Sequence, residues 1–188
     1  MGYAGLILLG LLVLIGLWVL GIYNGLVGLR QRCKQAFADI DVQLKQRQDL
    51  VPNLVETVKG YAAHEKSTLE NVIKWRNAAA GAGTPSDKAA AEGQLTTALR
   101  QLMVVAEAYP DLKANQGFQQ LQAELGDLEN KIASARRFFN NSASEYNATR
   151  ESFPAVLFSN TLGFGAQDFF NLDEAERKAA SVAPQVKF

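Results

Sequence analysis

The chain has 188 residues, and 19 Lys plus Arg balance 19 Asp plus Glu, so its net charge is zero. That balance leaves no basic field to hold nucleic acid. One cysteine and one histidine are too few for a disulfide or a four-ligand zinc site.

The first element is an apolar run over residues 6–28. No Asp, Glu, Lys, Arg or His occurs before Arg30, and a helix that is apolar on every side does not sit on a protein surface. About 20 such residues cross roughly 30 Å of hydrocarbon, and residues 4–23 supply them. Leu6, Leu9 and Leu12 face lipid in this reading. Tyr3 and Tyr23 stand at the two headgroup levels, with Trp18 near the second. No basic residue precedes the run and no Ala-x-Ala follows it, so it reads as an uncleaved anchor rather than a signal peptide. Arg30, Arg32, Lys34, Lys45 and Arg47 all follow it. The positive-inside rule then places the C-terminal body in the cytoplasm, and the lone Cys33 suits a reducing compartment. Gly21-x-x-x-Gly25 has the spacing of close helix approach, but it lies at the membrane edge.

After Tyr23 the apolar residues thin to a stripe: Leu26, Leu29, Cys33, Phe37, Ile40, Leu44, Val51, Leu54, Val58, Tyr61, Leu69 and Val72. Three-and-four spacing predicts one amphipathic helix over 24–80, close to the heptad pattern of coiled coils. Pro52 lies inside it and predicts a kink or short break. Arg47 falls on the stripe, where an inward charge needs a partner or costs several kcal/mol; Asn53 and Lys59 are near enough in sequence to join it. Asp41 and Lys45 are spaced for a helix pair. Arg47 and Asp49 are either part of a solvated charged face or contacts that fix a partner's register. His64-Glu65 lacks the second histidine of a zincin helix, because Thr68 stands there, and reads as a polar neighbour of the bundle interface.

Gly81 to Pro85 ends this element. Thr84 as cap, Pro85 at the first position and Asp87 in the first turn open a second helix that runs to about Ala108. Tyr109-Pro110 stops it. A third helix after Asn115 carries the cleanest stripe: Phe118, Leu121, Leu125, Leu128, Ile132, Ala135, Phe139, Ser142 and Tyr146. Phe153-Pro154 closes it. Two Asn-x-Ser/Thr triplets, at Asn140 and Asn147, lie on this helix and read as chance matches. The tail holds Phe158, Phe164, Phe169 and Phe170 among glycines, which either cap the bundle or meet a membrane or partner surface. A short last helix is expected near Asp173, where Asp173 and Glu176 have capping spacing.

The fold class is therefore all-α: an N-terminal single transmembrane helix continuing into a long antiparallel helical bundle. Residues 1–29 form the anchor, 30–154 the bundle and 155–188 a Phe/Gly-rich tail. At about 1.5 Å per residue the three soluble helices span roughly 85, 36 and 52 Å. The second covers only the part of the first beyond Pro52. The seam Leu26, Leu29, Cys33, Phe37, Ile40 and Leu44 is then covered by the tail or by another copy, which predicts a homo-oligomer.

Several runs resemble the LemA family: Tyr23-Asn24-x-Leu26-Val27-x-Leu29-Arg30, the stretch from Ile40-Asp41-Val42-Gln43-Leu44-Lys45 through Asp49-Leu50-Val51-Pro52-Asn53-Leu54-Val55, and Val58-Lys59-Gly60-Tyr61-Ala62-x-His64-Glu65. Ala108-Tyr109-Pro110-x-Leu112-Lys113-Ala114-Asn115 and Ile132-Ala133-x-Ala135-Arg136 are similar too. Phe37 departs from the pattern, where the family often has Trp. The resemblance implies a bacterial single-span protein with a cytoplasmic bundle. No catalytic activity is established for the family, so no catalytic residue carries over. Some relatives are associated with magnetosome membranes and others with membrane-protein quality control. Without a nucleophile–base pair, phosphate loop or metal set, the chain reads as a non-enzymatic scaffold without a cofactor. Its expected partners are the lipid bilayer, copies of itself and other membrane proteins. The alternative is a membrane-shaping or membrane-lining assembly protein.

Overall fold

The computed structural model describes residues 2–170. Five helices follow one another: α1 Gly2–Lys59, α2 Lys66–Gly81, α3 Pro85–Glu107, α4 Pro110–Ala114 and α5 Gln116–Glu151. A 3-10 turn, Ala155–Leu157, comes after them. No strand occurs among the described residues. The helix expected near Asp173 lies outside them.

α1 carries the chain away from its apolar end, α2 folds back, α3 returns, and α5 runs antiparallel to α1 for most of its length. The expected helix over 24–80 is thus two helices. The chain turns at residues 60–65, where the Ala62 amide donates to the Val58 carbonyl at 2.8 Å. The stripe runs straight through this turn, because Ala62 and Leu69 are buried in the same core as Val58. Apolar period alone does not separate a helix that continues from one that doubles back onto the same core.

The other boundaries follow local chemistry. The Thr84 hydroxyl accepts from the Asp87 amide at 3.1 Å, with Pro85 in the first turn. The Asn115 side chain caps α5 by accepting from the Phe118 amide at 3.0 Å. All nine residues of the α5 stripe are buried or half-buried.

Three clusters stack along α1. The distal one joins Val51, Leu54 and Val58 to α2, α3 and the start of α5. The middle one holds Ala36, Ile40 and Leu44 against Ala89, Ile132, Phe139 and Phe170. The proximal one joins Leu26 and Cys33 to Tyr146, Ala155 and Phe164. Below α3 the bundle has only two helices, and residues 163–170 lie along them as a strap. Gly163, at φ 75°, makes the left-handed turn that starts the strap, a conformation glycine adopts without a Cβ penalty.

Candidate functional site

α1 has three candidate stretches. The first is its apolar end. Leu6, Leu9, Leu12 and Trp18 are each more than half exposed, and Tyr23 is 39% exposed. The most apolar 18-residue window of the helix has no buried residue. Exposed apolar surface of this extent is tolerated in lipid and not in water.

The second stretch is the seam. Leu26, Cys33, Ile40 and Leu44 are at most 1% exposed, and Leu29 and Phe37 are half-buried against the same clusters. Of the two coverings expected for the seam, the tail or another copy, the structure has the first: α5 and the strap lie over it within one chain. Two aromatics of the strap are held by cations. The Arg30 guanidinium lies 4.9 Å from the Phe164 ring centroid, and that of Arg136 lies 4.9 Å from the Phe170 ring. Two asparagines one heptad apart on α5 clamp the strap backbone. Asn147 donates to the Gln167 carbonyl at 2.8 Å and accepts from its amide at 2.9 Å. Asn140 makes the same pair of bonds to Phe170, at 3.1 and 2.8 Å. Tyr146 adds a bond from its hydroxyl to the Gly165 carbonyl at 2.8 Å. Burial pushes the Cys33 thiol above its ordinary value, and the nearby Glu145 carboxylate pushes it the same way.

The third stretch is a charged node around Pro52. Arg47 is fully buried. It donates to the carboxylates of Glu92 on α3 and Glu129 on α5, and to the Thr96 hydroxyl at 3.0 Å. Gln48 donates to the other oxygen of Glu92 at 2.8 Å. Burial opposes the Arg47 charge, but the two carboxylates outweigh it and raise its pKa. Arginine does not give up its proton in such a setting, so the node is a register pin across α1, α3 and α5 rather than a proton-transfer site.

Asn53 and Lys59 stand outside this node. Asp49 is exposed and pairs with Lys45 at 2.6 Å. Asp41 pairs with Lys88 on α3 at 2.7 Å rather than with Lys45. His64 is exposed in the turn after α1.

Pro52 causes no break, since α1 runs through it. The reason lies in the accounting of backbone groups. Proline has no N–H to give the carbonyl four residues earlier, which belongs to Gln48. Arg76 of α2 supplies the missing donor, with its Nε 3.1 Å from that oxygen.

Beyond the node, α1 and α2 enclose an open groove of about 660 Å³. Pro52, Val55, Leu69 and Ile73 line its floor. Lys59, Lys66 and Lys74 alternate with Glu56 and Glu70 on its rim.

Glu92 and Glu129 were missed in the sequence, although each interrupts an apolar stripe: Glu92 three residues before Leu95, and Glu129 three before Ile132. The strap clamps Asn140 and Asn147 had only their seven-residue spacing to mark them.

An apolar helix bare of protein, continuous with an all-helical bundle that holds charge pins instead of reacting groups, defines a membrane-anchored helical-bundle protein. The LemA family profile matches residues 36–188, and the chain belongs to the LemA family. It is similar to Magnetosome protein MamQ of Magnetospirillum gryphiswaldense, with 25% identity over 87% of this chain and 70% of that protein. Magnetosome protein MamQ 2 of Paramagnetospirillum magneticum is 25% identical over 79% of this chain, which spans 64% of that relative. These similarities and the apolar helix support a membrane-associated, non-enzymatic role.

Proposed function

We propose that the chain is a single-pass membrane scaffold that self-associates and recruits or organises other membrane proteins, its body on the cytoplasmic side. The observation that carries this reading is the continuity of α1 from the apolar end to the groove. From Tyr23 to Val55 the helix rises roughly 48 Å at about 1.5 Å per residue, so the groove stands at a set height above the lipid. The Arg47 node stiffens that reach by tying α1 to α3 and α5. An apolar floor with alternating charges on the rim suits an amphipathic segment of another protein. Arg30, Arg32 and Lys34, just past the span, support the cytoplasmic orientation.

Photo-crosslinking in native membranes tests it. A reactive residue at Glu70, on the groove rim, is expected to capture membrane proteins and second copies. The same residue at Val104, exposed on α3, is expected to capture far fewer. Equal capture at both positions, together with a monomeric mass in native-lipid discs, would reject the scaffold. Membrane lining is the second reading. It is favoured by the exposed Phe153 and Leu157 beside the end of the span and by relatives named as magnetosome proteins. Vesicles that keep their shape with the protein inserted would reject it.

A further inference from the structure

We infer that the loop over residues 152–162 is a second membrane contact, seated at the headgroup level of an anionic bilayer beside the end of the span. This rests on the proposed function only for the placement of the apolar end of α1 in lipid.

The register between α1 and α5 fixes the height of the loop. Arg47 meets Glu129 and Arg32 meets Glu145 at 2.9 Å, so the two helices step past each other one residue for one. Continued in that register, Glu151 stands level with Gly25 and Leu26, and Phe153 level with Tyr23. Packing agrees with this. Ala155 is buried with Leu26 and Phe164, with Ile22 against the same cluster, and the Phe164 and Tyr23 rings lie 5.4 Å apart. The loop thus ends where the span begins.

Ala155 and Ser159 are buried and Pro154 and Phe158 half-buried, while Val156, Leu157 and Leu162 are exposed. Phe153 is 76% exposed, Leu157 61%, Val156 45% and Leu162 43%. Four large apolar side chains on one short loop form a patch that water does not favour. Their position makes them continuous with the lipid-facing surface of α1. Arg30, Arg32, Lys34 and Arg150 stand at this end against the carboxylates of Glu145, Glu151 and the strap's Asp168, a small positive excess that suits anionic headgroups. Pro154 keeps the loop from opening as a regular surface helix, and the left-handed turn at Gly163 ends it. It acts as a wedge held by Ala155, fixing the tilt of the bundle on its single span.

The test uses the full-length chain with Cys33→Ala in vesicles of equal phosphatidylcholine and phosphatidylglycerol, carrying a polarity-sensitive fluorophore on one introduced cysteine. Leu157→Cys is expected to give blue-shifted emission that a shallow lipid-borne quencher reduces. Leu14→Cys, within the span, is expected to respond to a deep quencher, and Val104→Cys, on the distal bundle, to neither. Water-like, unquenched emission at Leu157→Cys with Leu14→Cys still quenched would overturn the loop contact and leave the anchor standing. Loss of quenching at both positions would overturn the anchor and the loop together. Emission at Leu157→Cys that self-quenches with protein density but ignores lipid quenchers would assign the patch to a second copy instead.

Discussion

Arg47 shows how a charge can sit in the middle of an apolar stripe. Guanidinium, two carboxylates, a hydroxyl and an amide bond one another across three helices, with the Arg47 Nε left without a hydrogen-bond partner. Removing one member of a buried pair leaves the other uncompensated, at a cost of about 3–5 kcal/mol, whereas replacing the pair by apolar groups is often neutral or better. Arg47→Met is therefore expected to lower the unfolding midpoint of the detergent-solubilised full-length protein sharply. Arg47→Met combined with Glu92→Leu is expected to recover most of that loss. Denaturant titration followed by far-UV circular dichroism measures both; equal losses in the single and double variants would show that the node is not coupled in this way. The need for a partner was legible in the sequence, because Arg47 interrupts its own stripe. The partner was not, because Glu92 lies on a helix whose packing against α1 depends on the turn at residues 60–65. Three charges off pattern on three separate helices were the available sign that they meet.

At the scale of the element, α1 persists through Pro52 because α2 donates what the proline lacks. The sequence shows a proline in a helical pattern and so predicts a kink or short break; the helix is not broken there, and the compensating donor, 28 residues away from Gln48, is invisible to local rules. Arg76→Met is expected to leave the Gln48 carbonyl short of a donor and to cost about 1–3 kcal/mol. Pro52→Ala restores the backbone N–H, so in that background the same Arg76→Met change is expected to cost much less. A double-mutant cycle measures the difference, and additive losses would mean that Arg76 contributes by packing alone. What was legible at this scale was whatever rested on capping and periodicity. The Thr84-Pro85 start, the Tyr109-Pro110 stop and the whole buried face of α5 all appear where those patterns put them. The turn after Lys59 was hidden, since its residues keep the helical spacing while the backbone reverses.

At the scale of the whole molecule, the strap decides whether the proximal half is closed or sticky. The seam from Leu26 to Leu44 is apolar enough to bind another chain, yet α5, Phe164 and Phe170 already occupy it. Aspartate at Ile40 or Leu44 would therefore strike the bundle's own core rather than disperse an assembly. The self-association proposed above would have to use another surface, or follow release of the strap. The second route is testable, because Cys33 lies in the covered seam at 1% exposure and its thiol is held in the protonated, poorly nucleophilic form. In the intact chain at neutral pH, maleimide is expected to modify Cys33 far more slowly than in the denatured chain. Asn140→Leu with Asn147→Leu removes both backbone clamps without touching the seam, and is expected to accelerate that modification severalfold while α1 and α5 stay folded. If lifting the strap also frees the seam, the double variant will show a concentration-dependent rise in mass by sedimentation in detergent that the parent lacks. A variant that reacts quickly at Cys33 but stays monomeric would separate the two events, leaving the seam a purely internal surface and moving the search for the self-association interface to the groove and the exposed faces of α3 and α5.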